Sequence, residues 1–107
     1  MMLEIKSEII NKVATLQFDG VLDISTVDSV QTSLSKLIDV HEVILDFEMV
    51  KFVDSTGIGT ISKILRKLAS EGVIVTIRNI PAVVFEVFEI LGLPEIFGEE
   101  VFQIKKS

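Results

Sequence analysis

The feature that most constrains the fold of this chain is the stretch DFEMVKFVDSTGIG, Asp46 to Gly59, in which a strand runs into a helix. The apolar run from Val43 to Phe47 is typical of a short buried β-strand. Apolar residues then recur at helical spacing after the glycines, at Ile58, Ile61, Ile64, Leu65 and Leu68. We therefore expect an α/β domain with a polar strand-to-helix junction.

The junction itself is Asp54-Ser55-Thr56-Gly57-Ile58-Gly59. The free N–H groups and positive dipole end of a helix start suit a short polar side chain, and equally an added phosphate. A pure N-cap would explain one polar side chain, but not three in succession before two glycines. Because a glycine inside a helix costs about 1 kcal/mol relative to alanine, Gly57 and Gly59 indicate that another group approaches the backbone closely.

The residues before the central strand predict a β-hairpin. Alternating stretches at 3–9 and 13–18 flank the polar turn residues Asn11-Lys12. Asp19-Gly20 is expected to end the second strand, with Gly20 in a backbone conformation that other residues resist.

A first helix is predicted to start at Ser25 or Thr26, because Ser25 and Asp28 have capping-box spacing. Its apolar stripe comprises Ile24, Val27, Val30, Leu34, Leu37 and Ile38. The opposite face is small and polar, and is either solvated or a weak interface candidate.

The second helix is predicted from Thr56 to Ser70, stopped by Gly72, with a basic side that is either solvated or steers an acidic partner. A strand at 73–77 and a third helix from Pro81 to Leu91 follow. The third helix has a wider apolar arc than one sheet face needs. We expect the segment 94–97 to fold back over the edge of this arc; otherwise part of the arc is exposed and marks a contact site.

A final strand at 101–104 and a frayed tail at 105–107 complete the order β-β-α-β-α-β-α-β. This alternation predicts an α/β fold, a single domain over 1–107 with a mixed, mostly parallel sheet and one antiparallel hairpin. Function is then expected where a strand's carboxyl end meets a helix start, which is where Ser55 lies.

Composition excludes several classes of function. The 107 residues carry a formal net charge of −6 and no cluster of basic and aromatic residues, so nucleic-acid binding is not expected. Cysteine is absent, which excludes disulfides and thiolate sites. The start MMLEIKSEII lacks a signal-peptide pattern, and no apolar run is long enough to cross a bilayer. We expect a cytoplasmic protein without membrane insertion.

A catalytic role for Ser55 would need a base. His41, the only histidine, precedes the central strand, whose apolar core separates its two ends by on the order of 16 Å, whereas a Ser-His pair needs about 3 Å. Asp46 and Asp54 without further ligands make a poor metal site, and no phosphate-binding loop motif is present. We expect no enzyme activity, no metal and no cofactor.

The run Asp54 to Gly59 resembles the signature of the anti-sigma-factor antagonists, bacterial members of the STAS domain family. Gly20-Val21-Leu22-Asp23 is similar to the family's Gly-Glu-Leu-Asp turn, although Val21 leaves the role of that glutamate unfilled. The third-helix pattern is also matched, at Pro81, Val84, Phe88, Gly92, Leu93, Ile96 and Phe97. The resemblance thus spans residues 20–97.

This resemblance implies that unmodified Ser55 belongs to a surface that binds an anti-sigma factor, a serine kinase with a histidine-kinase-like ATPase fold, which then frees its sigma factor. Phosphorylation of Ser55 reverses binding, and a serine phosphatase resets the switch. It also implies that Asp23 lies near Ser55. The partner-binding residues are then Asp23, Asp54, Ser55, Thr56, Gly57, Ile58 and Gly59.

Three alternatives stay open. Thr56 is a rival phosphate acceptor. The domain could instead be a scaffold subunit of a stress-sensing complex or a regulator of a transport system, in which STAS domains also occur. From a different class, the cleft near Asp23 and Ser55 could bind a nucleotide or another small ligand.

Overall fold

The structure is a computed structural model that describes residues 2–106; Ser107, the end of the predicted tail, lies outside them. Strands β1, Leu3–Ile10, and β2, Val13–Leu22, form the predicted antiparallel hairpin. The turn residues Asn11 and Lys12 adopt φ values of 50° and 65°. The hairpin prediction is therefore confirmed.

The expected end of the second strand at Asp19-Gly20 is wrong, since β2 continues to Leu22. Gly20 has φ +132°, and an added Cβ would collide with the carbonyl oxygen of Met2. The register between β2 and the central strand shifts on either side of it, between Gln17 and Asp19 and between Gly20 and Val21. The glycine therefore marks an irregularity within a long strand rather than its end.

The remaining elements alternate as predicted. The strands are β3 (Glu42–Val53), β4 (Ile74–Ile80) and β5 (Phe102–Ile104), and the helices are α1 (Val27–Ser35), α2 (Ser55–Ser70), α3 (Ala82–Ile90) and α4 (Leu93–Phe97). A short 3-10 helix, Glu99–Val101, precedes β5. The sheet order is β1-β2-β3-β4-β5, with β2 to β5 parallel, so the predicted α/β fold with a mixed, mostly parallel sheet is confirmed.

The core lies on one side of this sheet. Leu16 and Phe18 of β2 are buried while Gln17 between them is exposed, and β3 alternates in the same way up to Phe47. Sequential parallel strands joined by right-handed crossovers place their helices on one face, which accounts for this one-sided burial. A row of aromatic rings crosses the core, with centroids 5.4 Å apart for Phe18–Phe47, 6.0 Å for Phe47–Phe88 and 5.2 Å for Phe88–Phe102.

Two predicted apolar surfaces differ from the observed ones. Ile24 and Ile38 were expected in the buried stripe of α1, but both lie outside the helix and are 72% and 80% exposed. The segment 94–97 does fold into α4, yet it leaves the outer part of α3 uncovered, with Val83 70% and Ile90 82% exposed. The alternative that part of the apolar arc is exposed therefore holds for its outer part.

Between residues 2 and 106, no helix combines the length and the apolar character that crossing a bilayer requires.

Candidate functional site

Asp54 caps the start of α2. Its backbone is extended, at φ −119° and ψ 178°, and its Oδ1 accepts a hydrogen bond of 2.7 Å from the N–H of Gly57. The N–H of Ile58 donates to the Asp54 carbonyl oxygen at 3.0 Å. This is the geometry of an N-cap, and it starts the helix at Ser55, one residue earlier than predicted.

The same aspartate holds the loop that follows β2. Its second oxygen, Oδ2, accepts from the N–H of Ile24 at 3.4 Å, and its own N–H donates to the Leu22 carbonyl at 3.2 Å. The junction after β3 and the loop after β2 are therefore one hydrogen-bonded unit, which brings the segment containing Asp23 to the start of α2.

The two glycines of the motif have different surroundings. Gly57 is buried, and an added Cβ would collide with the Leu22 carbonyl oxygen, so the predicted close approach is confirmed there. Gly59 is exposed and has no neighbouring atom within 4 Å of the position of a Cβ. Within the described chain, nothing approaches Gly59, and the prediction fails at that position.

Asp23 is organised by Ser25. Its Oδ1 accepts from the N–H of Ser25 at 2.9 Å and from the Ser25 hydroxyl at 2.6 Å. These hydrogen bonds, that of the Ser25 side chain foremost, hold the pKa of Asp23 below its ordinary value. Asp23 is thus ionised at neutral pH. Because the Ser25 hydroxyl donates to Asp23, the capping box predicted from Ser25 and Asp28 does not form.

Thr26 is the site residue that sequence reasoning missed. It precedes α1 in the position of the cap but makes no side-chain cap bond. Its buried hydroxyl instead donates to the Val21 carbonyl at 2.8 Å and accepts from the N–H of Asp23 at 3.0 Å. The sequence offered one signal. Thr26 lies beside the apolar stripe of the first helix, and a hydroxyl that is buried there must be hydrogen-bonded within the chain.

Ser55 and Thr56 are the first two residues of α2, and both are exposed. The first N–H groups of a helix have no intrahelical acceptor, and the dipole there favours negative charge. The structure therefore offers two accessible hydroxyls at a helix start that suits a phosphate, beside the carboxylate of Asp54. Ile58 is buried in the core, so its contribution to the site is to anchor the first turn.

The residues considered for other chemistry lie elsewhere. His41 is exposed before β3, twelve strand residues ahead of the site. Asp46 lies within β3, where its Oδ1 accepts from the N–H of Glu48 at 3.0 Å and from Nδ2 of Asn79 at 3.2 Å. Among residues 2–106, no group of three or more potential metal-ligating side chains is present.

A known family matches nearly the whole of this α/β chain. The profile of the STAS domain matches residues 4–107, so this chain belongs to the STAS domain family.

Solved structures share this fold. The anti-sigma factor antagonist SpoIIAA in its unphosphorylated form is 23% identical with a TM-score of 0.77, over 97% of this chain and 89% of that one. The phosphorylated form, from Bacillus, is 20% identical with a TM-score of 0.72, over 99% of this chain and 93% of that one. An anti-sigma factor antagonist from Mycobacterium paratuberculosis is 15% identical with a TM-score of 0.81, over 98% and 87%. A sulfate transporter family protein from Wolinella succinogenes is 18% identical with a TM-score of 0.79, over 90% of this chain and 80% of that one.

Proposed function

We propose that this protein is an anti-sigma-factor antagonist of the cytoplasm, whose unphosphorylated form binds a serine-kinase anti-sigma factor and frees its sigma factor. Phosphorylation on Ser55 reverses that binding, and a serine phosphatase restores it. The observation that carries the proposal is the exposed Ser55 at the start of α2, directly after the capping Asp54. Membership of the STAS family supports it, as does the fold shared with SpoIIAA, a protein solved in both phosphorylation states.

Electrostatics explain how a phosphate would reverse docking. A phosphoserine carries about −1.5 to −2 charges at neutral pH, and here it would follow the carboxylate of Asp54 directly. Unit charges 4 Å apart interact by about 4 kcal/mol at an effective dielectric constant of 20. Half of that value changes an affinity by more than tenfold. An interface that tolerates Asp54 alone would therefore reject the pair without any change of shape.

The domain itself tolerates the modification. Ser55 is exposed at the helix N-terminus, where the dipole and the free N–H groups stabilise a phosphate. Asp54 retains its bond to Gly57, which lies on the buried side of the first turn. The phosphoprotein therefore stays folded, and the effect falls on binding.

The docking surface comprises the exposed residues of the junction, Ser55, Thr56 and Gly59, with Asp23 and Asp54 beside them. Gly57 and Ile58, which the structure buries, set the position of this surface. The open space at Gly59 leaves room for a partner's backbone or ring to approach α2 closely.

The test is binding of the anti-sigma factor by variants at the two hydroxyls. We expect Ser55→Asp to weaken binding more than tenfold and Ser55→Ala to bind, with melting temperatures within a few degrees of wild type. Thr56→Asp is the matched control, one residue further into the same exposed turn, and we expect a smaller loss. Tight binding by Ser55→Asp, or an equal loss in Thr56→Asp, would contradict the assignment of Ser55.

A second candidate function is regulation of a transport system, or a scaffold role in a stress-sensing complex. The fold shared with the sulfate transporter family protein favours it. The gene neighbourhood separates the candidates. Adjacent genes for a kinase-type anti-sigma factor and a sigma factor support the antagonist, whereas adjacent permease genes support the transport regulator.

A further inference from the structure

The net negative charge of this chain comes mostly from one segment. Between Arg78 and Lys105 the sequence has no lysine or arginine, but it has five glutamates: Glu86, Glu89, Glu95, Glu99 and Glu100. All five are exposed. This segment, which holds α3 and α4, therefore carries −5 of the formal net charge of −6.

The same segment exposes an apolar stripe. Val83, Val87 and Ile90 are spaced at i, i+4 and i+7, so they share one face of α3. Val83 and Ile90 are 70% and 82% exposed, and Val87 is half-buried. The residues that face the core, Val84 and Phe88, lie on a different part of the helix surface. We call the set of Val83, Val87 and Ile90 the outer stripe of α3.

Exposed apolar residues continue beyond the outer stripe. Leu91, directly after α3, is 44% exposed, and Ile96 of α4 is 58% exposed. Glu86 and Glu89 lie beside the outer stripe, on the side away from Leu91. The surface is thus an apolar strip with an acidic border.

The acidic border determines which kind of partner can cover the outer stripe. A second copy of this chain, docked about a two-fold axis, would bring the two acidic borders together, and like charges in an interface weaken it. An anionic membrane surface is repelled for the same reason. A helix with apolar residues at i, i+3, i+4 and i+7 and basic residues on its flanks complements both the strip and its border.

We propose that the outer stripe of α3 docks a basic amphipathic helix of another protein, at a surface separate from Ser55. Ile90, the most exposed residue of the outer stripe, is the main apolar anchor, and Glu86 and Glu89 pair with the basic flank of the incoming helix. This docking is independent of the phosphorylation state of Ser55.

A peptide of leucine and lysine at helical period, about 18 residues long so that it can form a helix, serves as the probe. A scrambled peptide of equal composition and a leucine–glutamate peptide of equal period are its controls. Binding to the full chain is followed by NMR. We expect resonances of α3 and α4 to shift with the periodic basic peptide, and the affinity to fall as salt is raised.

Matched variants complete the test. Ile90→Ser should weaken binding of the periodic basic peptide more than tenfold, because it removes the most exposed apolar side chain of the outer stripe. Ile38→Ser, at a residue exposed to 80% in the loop after α1, is the control and should bind as wild type. Both side chains are exposed, so neither variant should change the melting temperature noticeably. Ser55→Asp should also bind the peptide as wild type, which separates this proposal from the function proposed above.

Several results would overturn the proposal. These are no binding, equal binding of the scrambled or the acidic peptide, an unchanged affinity in Ile90→Ser, or shifts confined to the start of α2. A concentration-dependent dimer that Ile90→Ser abolishes in sedimentation would show that a second copy covers the stripe, and would overturn it as well.

Discussion

At the scale of single residues, Asp54 links two parts of the site. One carboxylate oxygen accepts from the N–H of Gly57 in α2, and the other accepts from the N–H of Ile24 in the loop after β2. Its position before Ser55 thus fixes both the helix start and the neighbouring loop. A capping role alone was the simplest interpretation of the sequence, and the structure has this cap with an exposed Ser55 directly after it.

Removing the cap should therefore destabilise the fold. We expect Asp54→Ala to lower the free energy of unfolding by about 1–2 kcal/mol, as for other lost N-caps, and Asp54→Asn, which keeps an acceptor oxygen, to lose much less. Urea unfolding of both variants beside wild type measures the difference. If Asp54→Ala is as stable as wild type, the cap does not hold the junction together.

At the scale of elements, the first turn of α2 approaches the backbone of β2 closely at one of its two glycines. Gly57 faces the Leu22 carbonyl oxygen, whereas Gly59, two residues later, faces open space. The sequence alone assigned both glycines to close approach. It could not separate them, because the contact at Gly57 depends on Leu22, the last residue of β2, more than thirty residues earlier in the chain.

The two glycines make a matched pair of variants. We expect Gly57→Ala to destabilise the protein by about 1–3 kcal/mol through overpacking. Gly59→Ala should stabilise it by about 0.4–1 kcal/mol, since alanine loses less conformational freedom in a helix. Thermal and urea unfolding measure both. Equal effects of one sign would mean that the first turn of α2 lies differently against the loop.

The order of the elements could be predicted because each strand or helix buries one face, which gives strands an alternating pattern of apolar residues and helices a helical one. Their boundaries could not all be predicted, because β2 and β3 continue to pair through register shifts near Gly20. There the buried positions Phe47, Val50 and Val53 follow one another every third residue, a spacing that no strand period describes. The role of Thr26 was missed for a related reason, since its hydroxyl bonds within the loop at Asp23 rather than to its helix.

At the scale of the whole molecule, one core supports both proposed surfaces. The aromatic row joins β2, β3, α3 and β5. Within it, the ring centroid of Phe47 lies 5.4 Å from that of Phe18 and 6.0 Å from that of Phe88. Because α2 follows β3 directly, and α3 provides Phe88, the site at Ser55 and the outer stripe are held by the same packing.

Truncation of Phe47 should therefore be costly. We expect Phe47→Ala to lower the free energy of unfolding by about 3–5 kcal/mol, as for other buried phenylalanines. Phe52→Ala, in the same strand at a side chain that is 54% exposed, is the control and should cost about 1 kcal/mol or less. Comparable losses in the two variants would show that the aromatic row is not the centre of the core.

The proposed antagonist function depends on Ser55 being the modified residue of a binding switch. The most direct measurement is to incubate wild type, Ser55→Ala and Thr56→Ala with ATP, magnesium and lysate of the native organism, and to map any phosphate by mass spectrometry. We predict phosphate on Ser55 in wild type and in Thr56→Ala, and none in Ser55→Ala. Phosphate on Thr56, or none on any variant in a lysate that phosphorylates a known control, would contradict this account.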